Sequence, residues 1–204
     1  MPARRLRKAV ARIHEATAGR EATGVSHDDD DSLAGTIESD DAIGFDPFPI
    51  LKVIGEQGAP AVVIGQVAGI LHGSTELTGD LDLLWTGERA DSERMVAAFH
   101  SAGAELFDES HERVDDAKRA FALPKIWFRT PSASGDCCTP RLPWKGLDID
   151  AFLGRAVSTE VDGVTVRYLA LADLISMRRA SGRAKDLRRL IELERLASAS
   201  RVSP

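Results

Sequence analysis

Residues 62–85 read VVIGQVAGILHGSTELTGDLDLLW. Ala61, Val62, Val63 and Ile64 form an unbroken apolar run between Pro60 and Gly65, the mark of a short buried strand. A helix starts directly from it at Gln66 and stops at His72-Gly73-Ser74, where glycine ends the helical pattern. Residues 81–85 then read as a second strand. Alternate strand residues face the same side, about 6.6 Å apart. Asp80 and Asp82 can therefore aim their carboxylates at one point, while Leu81 and Leu83 anchor the strand in the core.

Outward from this unit, the pattern is that of an α/β (α+β) protein with a small mixed β-sheet flanked by helices. Residues 49–57 predict a short helix, and Asp91 predicts the cap of another that runs to Ala102. Residues 125–129 predict a strand, and 131–142 a long loop. Leu147 to Phe152 alternates like a third core strand, and 164–169 predicts a fourth, entered by the hairpin signal Asp162-Gly163. Two helices, 171–179 and 184–197, close the chain, with Gly182 between them. There is no internal repeat.

Residues 1–42 read as an appendage to a domain spanning 43–204. Leu6, Val10 and Ile13 can form one side of a short helix. Residues 20–42 hold few large apolar side chains and predict a disordered linker. Four Arg or Lys fall within the first eight residues. No apolar block follows them, which argues against a secretory signal, and the early Glu15 and Glu21 argue against a mitochondrial presequence. No apolar run reaches the roughly 18 residues that a membrane span needs, so the expectation is a cytoplasmic protein without a membrane partner.

The 204 residues carry a net charge of −6, which argues against a general nucleic-acid coat. Charge is unevenly placed, however. Asp28 to Asp31 form an acidic run, whereas residues 178–189 hold six basic residues and one acid, a local composition suited to an anionic ligand. Cys137 and Cys138 are adjacent, an arrangement that pairs only with strain. They belong to no CxxC or Cys/His cluster, so they read as two reduced thiols in a loop.

The chemistry centres on carboxylates. Asp80 and Asp82 supply oxygen ligands suited to Mg2+ or Mn2+ rather than zinc. Leu147-Asp148-Ile149-Asp150 repeats the same alternation and offers a third acid. Two metals roughly 3.5–4 Å apart would activate an attacking hydroxyl and neutralise a leaving pyrophosphate. Gly65, where a strand passes into a helix, would let a phosphate approach backbone amides at the helix N-terminus. The bland alternatives are a solvated edge-strand face for the two acids and a tight turn for the glycine. His72 beside the helix-ending glycine reads as a packing residue, and Trp85, Trp127 and Trp144 as core or loop anchors.

The same stretch resembles the first half of the nucleotidyltransferase superfamily that includes DNA polymerase beta. It is most similar to AbiEii-like and related minimal nucleotidyltransferases of bacterial toxin–antitoxin systems. Gly65, His72, Gly73, Thr78, Asp80 and Asp82 stand where that pattern places them. The likeness extends to Val164-Thr165-Val166-Arg167-Tyr168-Leu169, the helix after it, and Gly182-Arg183-Ala184-Lys185-Asp186-Leu187. It covers roughly 62–85 and 147–195.

The resemblance implies a nucleotidyltransferase fold in which Asp80 and Asp82 bind metal and Asp150, or else Asp148, is the third acid. Gly65, Gln66, Lys185 and Arg178 would contact the nucleotide. The implied reaction moves a nucleotidyl group from an NTP to a hydroxyl on RNA, tRNA, protein or a small molecule, and the implied partner is a cognate toxin or antitoxin. Two departures stand out. Gln66 replaces the usual Gly or Ser, and Glu76 stands where relatives carry Arg and would repel a triphosphate. They favour an alternative, a degenerate fold acting as a binding or antitoxin-like partner. A nucleic-acid-binding module using the C-terminal basic helices is a third reading, disfavoured by net acidity.

Overall fold

The computed structural model describes residues 1–25 and 37–202. Seven strands form one mixed sheet. They are β1 (Val62–Val63), β2 (Leu83–Leu84), β3 (Glu105–Phe107), β4 (Lys125–Arg129), β5 (Ser134–Cys138), β6 (Val157–Val161) and β7 (Val164–Tyr168). Their order across the sheet is β3-β4-β5-β2-β1-β7-β6. β1 runs antiparallel to β2 and parallel to β7, and β2 runs parallel to β5. The expected α/β class and mixed sheet are therefore present.

Eight helices flank the sheet among the described residues. They are α1 (Pro2–Thr17), α2 (Phe48–Glu56), α3 (Gly65–His72), α4 (Ser92–Ser101), α5 (Ala117–Ala120), α6 (Ile149–Gly154), α7 (Leu171–Ser181) and α8 (Ala184–Val202). α1 packs on α3, α3 on α7 and α7 on α8, while α2 packs with α4 and β7. No helix among the described residues is long and apolar enough to cross a membrane.

Three sequence expectations change. Residues 147–152 are not a strand. Asp148 caps α6, its side chain accepting from the Ala151 amide at 3.0 Å. The buried residues Ile149, Phe152 and Leu153 follow helical spacing, a period that the two-residue alternation of the acids masked. Conversely, the expected loop 131–142 contains β5, the strand between β4 and β2. It lacks large aliphatic side chains, and its apolar residues are the buried, unpaired thiols Cys137 and Cys138. Free cysteine behaves as a small hydrophobe, and burial raises both thiol pKa values well above normal.

The third correction concerns the N-terminus. α1 is not an appendage, because Leu6, Ala9, Val10 and Ile13 are buried in the same core cluster as Val67, Leu71, Leu83 and Leu193. Arg5 Nη1 donates to the carbonyls of Leu71 and His72, at 3.1 and 2.7 Å, and so ties α1 to the end of α3. Of the expected linker, residues 26–36 lie outside the described residues. The remainder is held. Asp40 accepts from the Thr23 and Gly24 amides, and Arg20 donates to the carbonyls of Ile37 and Ser39. A 3-10 turn, Asp40–Ala42, seats this segment against Gly79, where an added Cβ would come within 2.5 Å of the Ala42 backbone. The N-terminal segment therefore reaches the residue that precedes Asp80.

Candidate functional site

Asp80 and Asp82 lie at the entry to β2. The ladder extends beyond its two formal residues. The Leu81 amide donates to Ser134 O at 2.9 Å, and the Trp85 amide to Cys138 O at 3.0 Å. Because Leu83 pairs with Cys137 in parallel register, Asp82, just before β2, and Asp136 on β5 are neighbours one step earlier. Paired residues of adjacent strands share a face, which places Asp136 beside the Asp-x-Asp motif.

Asp150 is not there. It is exposed in the first turn of α6, and Asp148 is spent on capping that helix. Neither Asp148 nor Asp150 lines a cavity with Asp80 and Asp82, whereas Asp136 does. Asp136 is not legible as a site residue in the sequence because Ser134-Gly135-Asp136-Cys137-Cys138 has too little bulk to show a strand period. Its one legible signal was an acid beside two residues that bury readily.

The acids are engaged within the protein. Asp80 is 7% exposed and accepts from the buried Thr78 hydroxyl. The Asp136 carboxylate pairs with Lys125 Nζ at 2.8 Å. The Asp82 carboxylate lies over Gly65, where an added Cβ would stand 1.7 Å from Oδ2. Gly65 has φ +61°, a conformation glycine adopts without penalty. The carboxylate thus rests at the N-terminus of α3, where the helix dipole favours negative charge. Among the described residues, no three His, Cys, Asp or Glu side chains already stand together as a ready metal-binding group.

Two cavities meet at these acids. One, of about 260 Å³, is lined by Asp41, Asp80, Asp82 and Asp136 together with Trp127 and Arg129. The other, of about 270 Å³, shares Asp82 and Asp136 and is lined besides by Asp186, Trp144 and the cations Lys125, Lys145, Arg178 and Arg183, so that four cations outnumber three acids. Asp82 and Asp136 therefore form the wall between an acidic and a basic compartment. Lys125, like Asp136, was missed as a site residue, since one lysine in a strand of sequence KIWFR reads as an edge charge.

Of the expected nucleotide contacts, Gly65 and Arg178 line the basic cavity. Arg178 is 6% exposed and pairs through Nη1 with the fully buried Asp186. Its Nε and Nη2 are buried without a hydrogen-bond partner among the described residues, which is costly for a charged donor. Burial alone would raise the Asp186 carboxyl pKa, but Arg178, Ser181 and Arg183 hold it down at about 2.

Lys185 is buried in the first turn of α8 and lines neither cavity. Gln66 is a correction. It is buried, and its Nε2 donates to Ser74 Oγ at 2.9 Å and Glu76 O at 3.0 Å, so it clamps the α3–β2 connection instead of facing a phosphate. Glu76 lines neither cavity, and its carboxylate pairs with buried Arg189 at 2.7 Å. The repulsion expected from it is thus neutralised.

His72 is likewise structural. Its Nε2 lies 2.8 Å from Leu169 O and its ring packs on Tyr168. Burial lowers its pKa, partly opposed by the Leu169 hydrogen bond.

No protein-family model matches the chain, and no curated protein matches it significantly.

Proposed function

We propose that the chain is a divalent-metal-dependent nucleotidyltransferase, of the kind its resemblance to minimal nucleotidyltransferases implies. The observation that carries this reading is the shared wall, in which Asp82 and Asp136 separate an acidic cavity holding Asp80 from a basic one. Asp80, Asp82 and Asp136 line one cavity and offer oxygen-only donors, a chemistry that suits Mg2+ or Mn2+. These three residues would hold the metal, whose contribution is to lower the pKa of the attacking hydroxyl and to offset charge on the leaving pyrophosphate.

The other residues divide the substrates. Lys125, Lys145 and Arg183 supply positive charge to a triphosphate in the basic cavity. Arg178, pinned by Asp186, adds positive charge to the wall of the same cavity, and Trp144 gives an apolar surface for base or ribose. An acceptor hydroxyl enters from the acidic cavity, past Trp127 and Arg129. The new oxygen–phosphorus bond forms at the wall between the cavities, and pyrophosphate leaves on the basic side. The acceptor class is RNA, tRNA or protein, and a toxin–antitoxin or defence setting follows from the resemblance alone.

A second reading, a scaffold that binds a partner without transfer, is favoured by one observation: the three carboxylates are all engaged internally. One experiment separates the two. Purified protein and an Asp80→Ala/Asp82→Ala variant are incubated with each labelled NTP, Mg2+ or Mn2+, and total RNA plus lysate. Label transferred by the unmodified protein alone supports the enzyme. Absence of both transfer and metal-dependent NTP binding favours the scaffold.

A further inference from the structure

Lys125 opens β4 beside the third carboxylate. β4 and β5 pair so that Trp127 faces Asp136 and Lys125 faces Cys138, which puts Lys125, Trp127 and Asp136 on one side of the sheet. Lys125 reaches diagonally to Asp136, and its Nζ lies 2.8 Å from Oδ2. The same ammonium sits 4.0 Å from the centre of the Trp127 ring. Both members of the pair are largely covered, at 23% and 19% side-chain exposure, so their attraction is screened less than that of a surface pair.

Lys125 thus places a positive charge on Asp136, and it lines the basic cavity while Asp136 also borders the acidic one. A divalent cation approaching Asp136 alone would have to displace this ammonium and would leave it beside a second, stronger positive charge. A cation that arrives with a triphosphate brings the anion to which the ammonium can turn, within the same cavity.

We propose that Lys125 is an exchangeable counter-ion. It neutralises Asp136 while the site is empty, releases it to a divalent cation, and transfers its own charge to the incoming triphosphate. The proposal rests on the nucleotidyltransferase reading. It makes cation and nucleotide binding mutually reinforcing, since each favours the arrangement in which Lys125 has left Asp136.

The test is calorimetric and requires no turnover. Mn2+ is titrated into the full chain with and without a non-hydrolysable analogue of each of the four NTPs. Lys125→Met and Lys125→Gln variants are compared, with circular dichroism checking that each folds. In the unmodified protein, Mn2+ alone binds weakly and an analogue tightens it. Either Lys125 variant should bind Mn2+ alone roughly tenfold more tightly, the change that about 1.4 kcal/mol of relieved competition produces. The tightening by the analogue should shrink in parallel.

Asp136→Asn should bind Mn2+ weakly in both conditions. If Lys125 variants bind Mn2+ no more tightly than the unmodified protein, or keep the full tightening, the counter-ion role is overturned while the metal site stands. If the unmodified protein binds Mn2+ under neither condition, the nucleotidyltransferase reading falls and the proposal with it.

Discussion

Gly65 and Asp82 share one space. A Cβ on Gly65 would stand 1.7 Å from Asp82 Oδ2, 2.6 Å from its Cγ and 2.9 Å from its Cβ. The glycine that opens α3 thus makes room for the acid just before β2, in addition to letting the chain turn with φ +61°. Expected to serve a phosphate, Gly65 here serves a carboxylate first.

Gly65→Ala should therefore displace Asp82 and strain the backbone, costing about 1–3 kcal/mol. Both a lowered melting temperature and weakened Mn2+-dependent nucleotide binding are expected. An alanine variant with unchanged metal binding would show that the position of Asp82 does not matter to the site.

Asp136→Asn and Asp150→Asn should part company. Asp136 borders both cavities, whereas Asp150 is exposed on α6. Metal-dependent NTP binding, followed by calorimetry, should collapse for Asp136→Asn and remain unchanged for Asp150→Asn. The reverse pattern would return the third-acid role to Asp150.

Gln66→Ala should act on stability and spare affinity. Removing the buried amide leaves Ser74 Oγ and Glu76 O short of a donor, at a cost of about 1–3 kcal/mol. Denaturant melts should show this loss, while NTP affinity below the transition stays the same. A fall in affinity without a fall in stability would restore the phosphate-facing role.

The α7–α8 clamp should respond to acid. Asp186 has its carboxyl held at about 2 against an ordinary 3.8. A lowered folded-state pKa contributes stability above the unfolded pKa, and that contribution is lost as pH falls from about 4 through 2. The shift corresponds to about 2 kcal/mol. The melting-temperature gap between the unmodified protein and Asp186→Asn should narrow across that window. A gap that stays constant from pH 5 to pH 2 would mean that the ion pair carries no pH-dependent stability.

Leu6→Ala should destabilise the whole protein by about 2–5 kcal/mol, as for a fully buried leucine. Leu6 is 0% exposed in the common core. A single cooperative transition at lower temperature is the expected melt. Loss of α1 alone, with the remaining transition unmoved, would make it a separable appendage after all.

Elements with strong local signals were legible without coordinates. Residues 62–85 showed a strand, a helix ending at His72-Gly73 and a second strand that begins just after Asp80-Leu81-Asp82, because apolar runs and a helix-ending glycine act over a few residues. The hairpin at Asp162-Gly163, β4 and the two closing helices were readable for the same reason, as was the placement of Asp80 and Asp82 at the entry to β2. Three-dimensional pairing assigned the rest. Asp136 joins them through the register of β5 against β2, a contact over more than fifty residues that no local periodicity encodes. Asp150 leaves them because burial of Ile149, Phe152 and Leu153 draws its segment into a helix. Lys125, Arg178 and the packing of α1 likewise depend on what stands opposite each side chain. Local propensity acts between near neighbours in the chain, whereas burial and charge pairing act between neighbours in space.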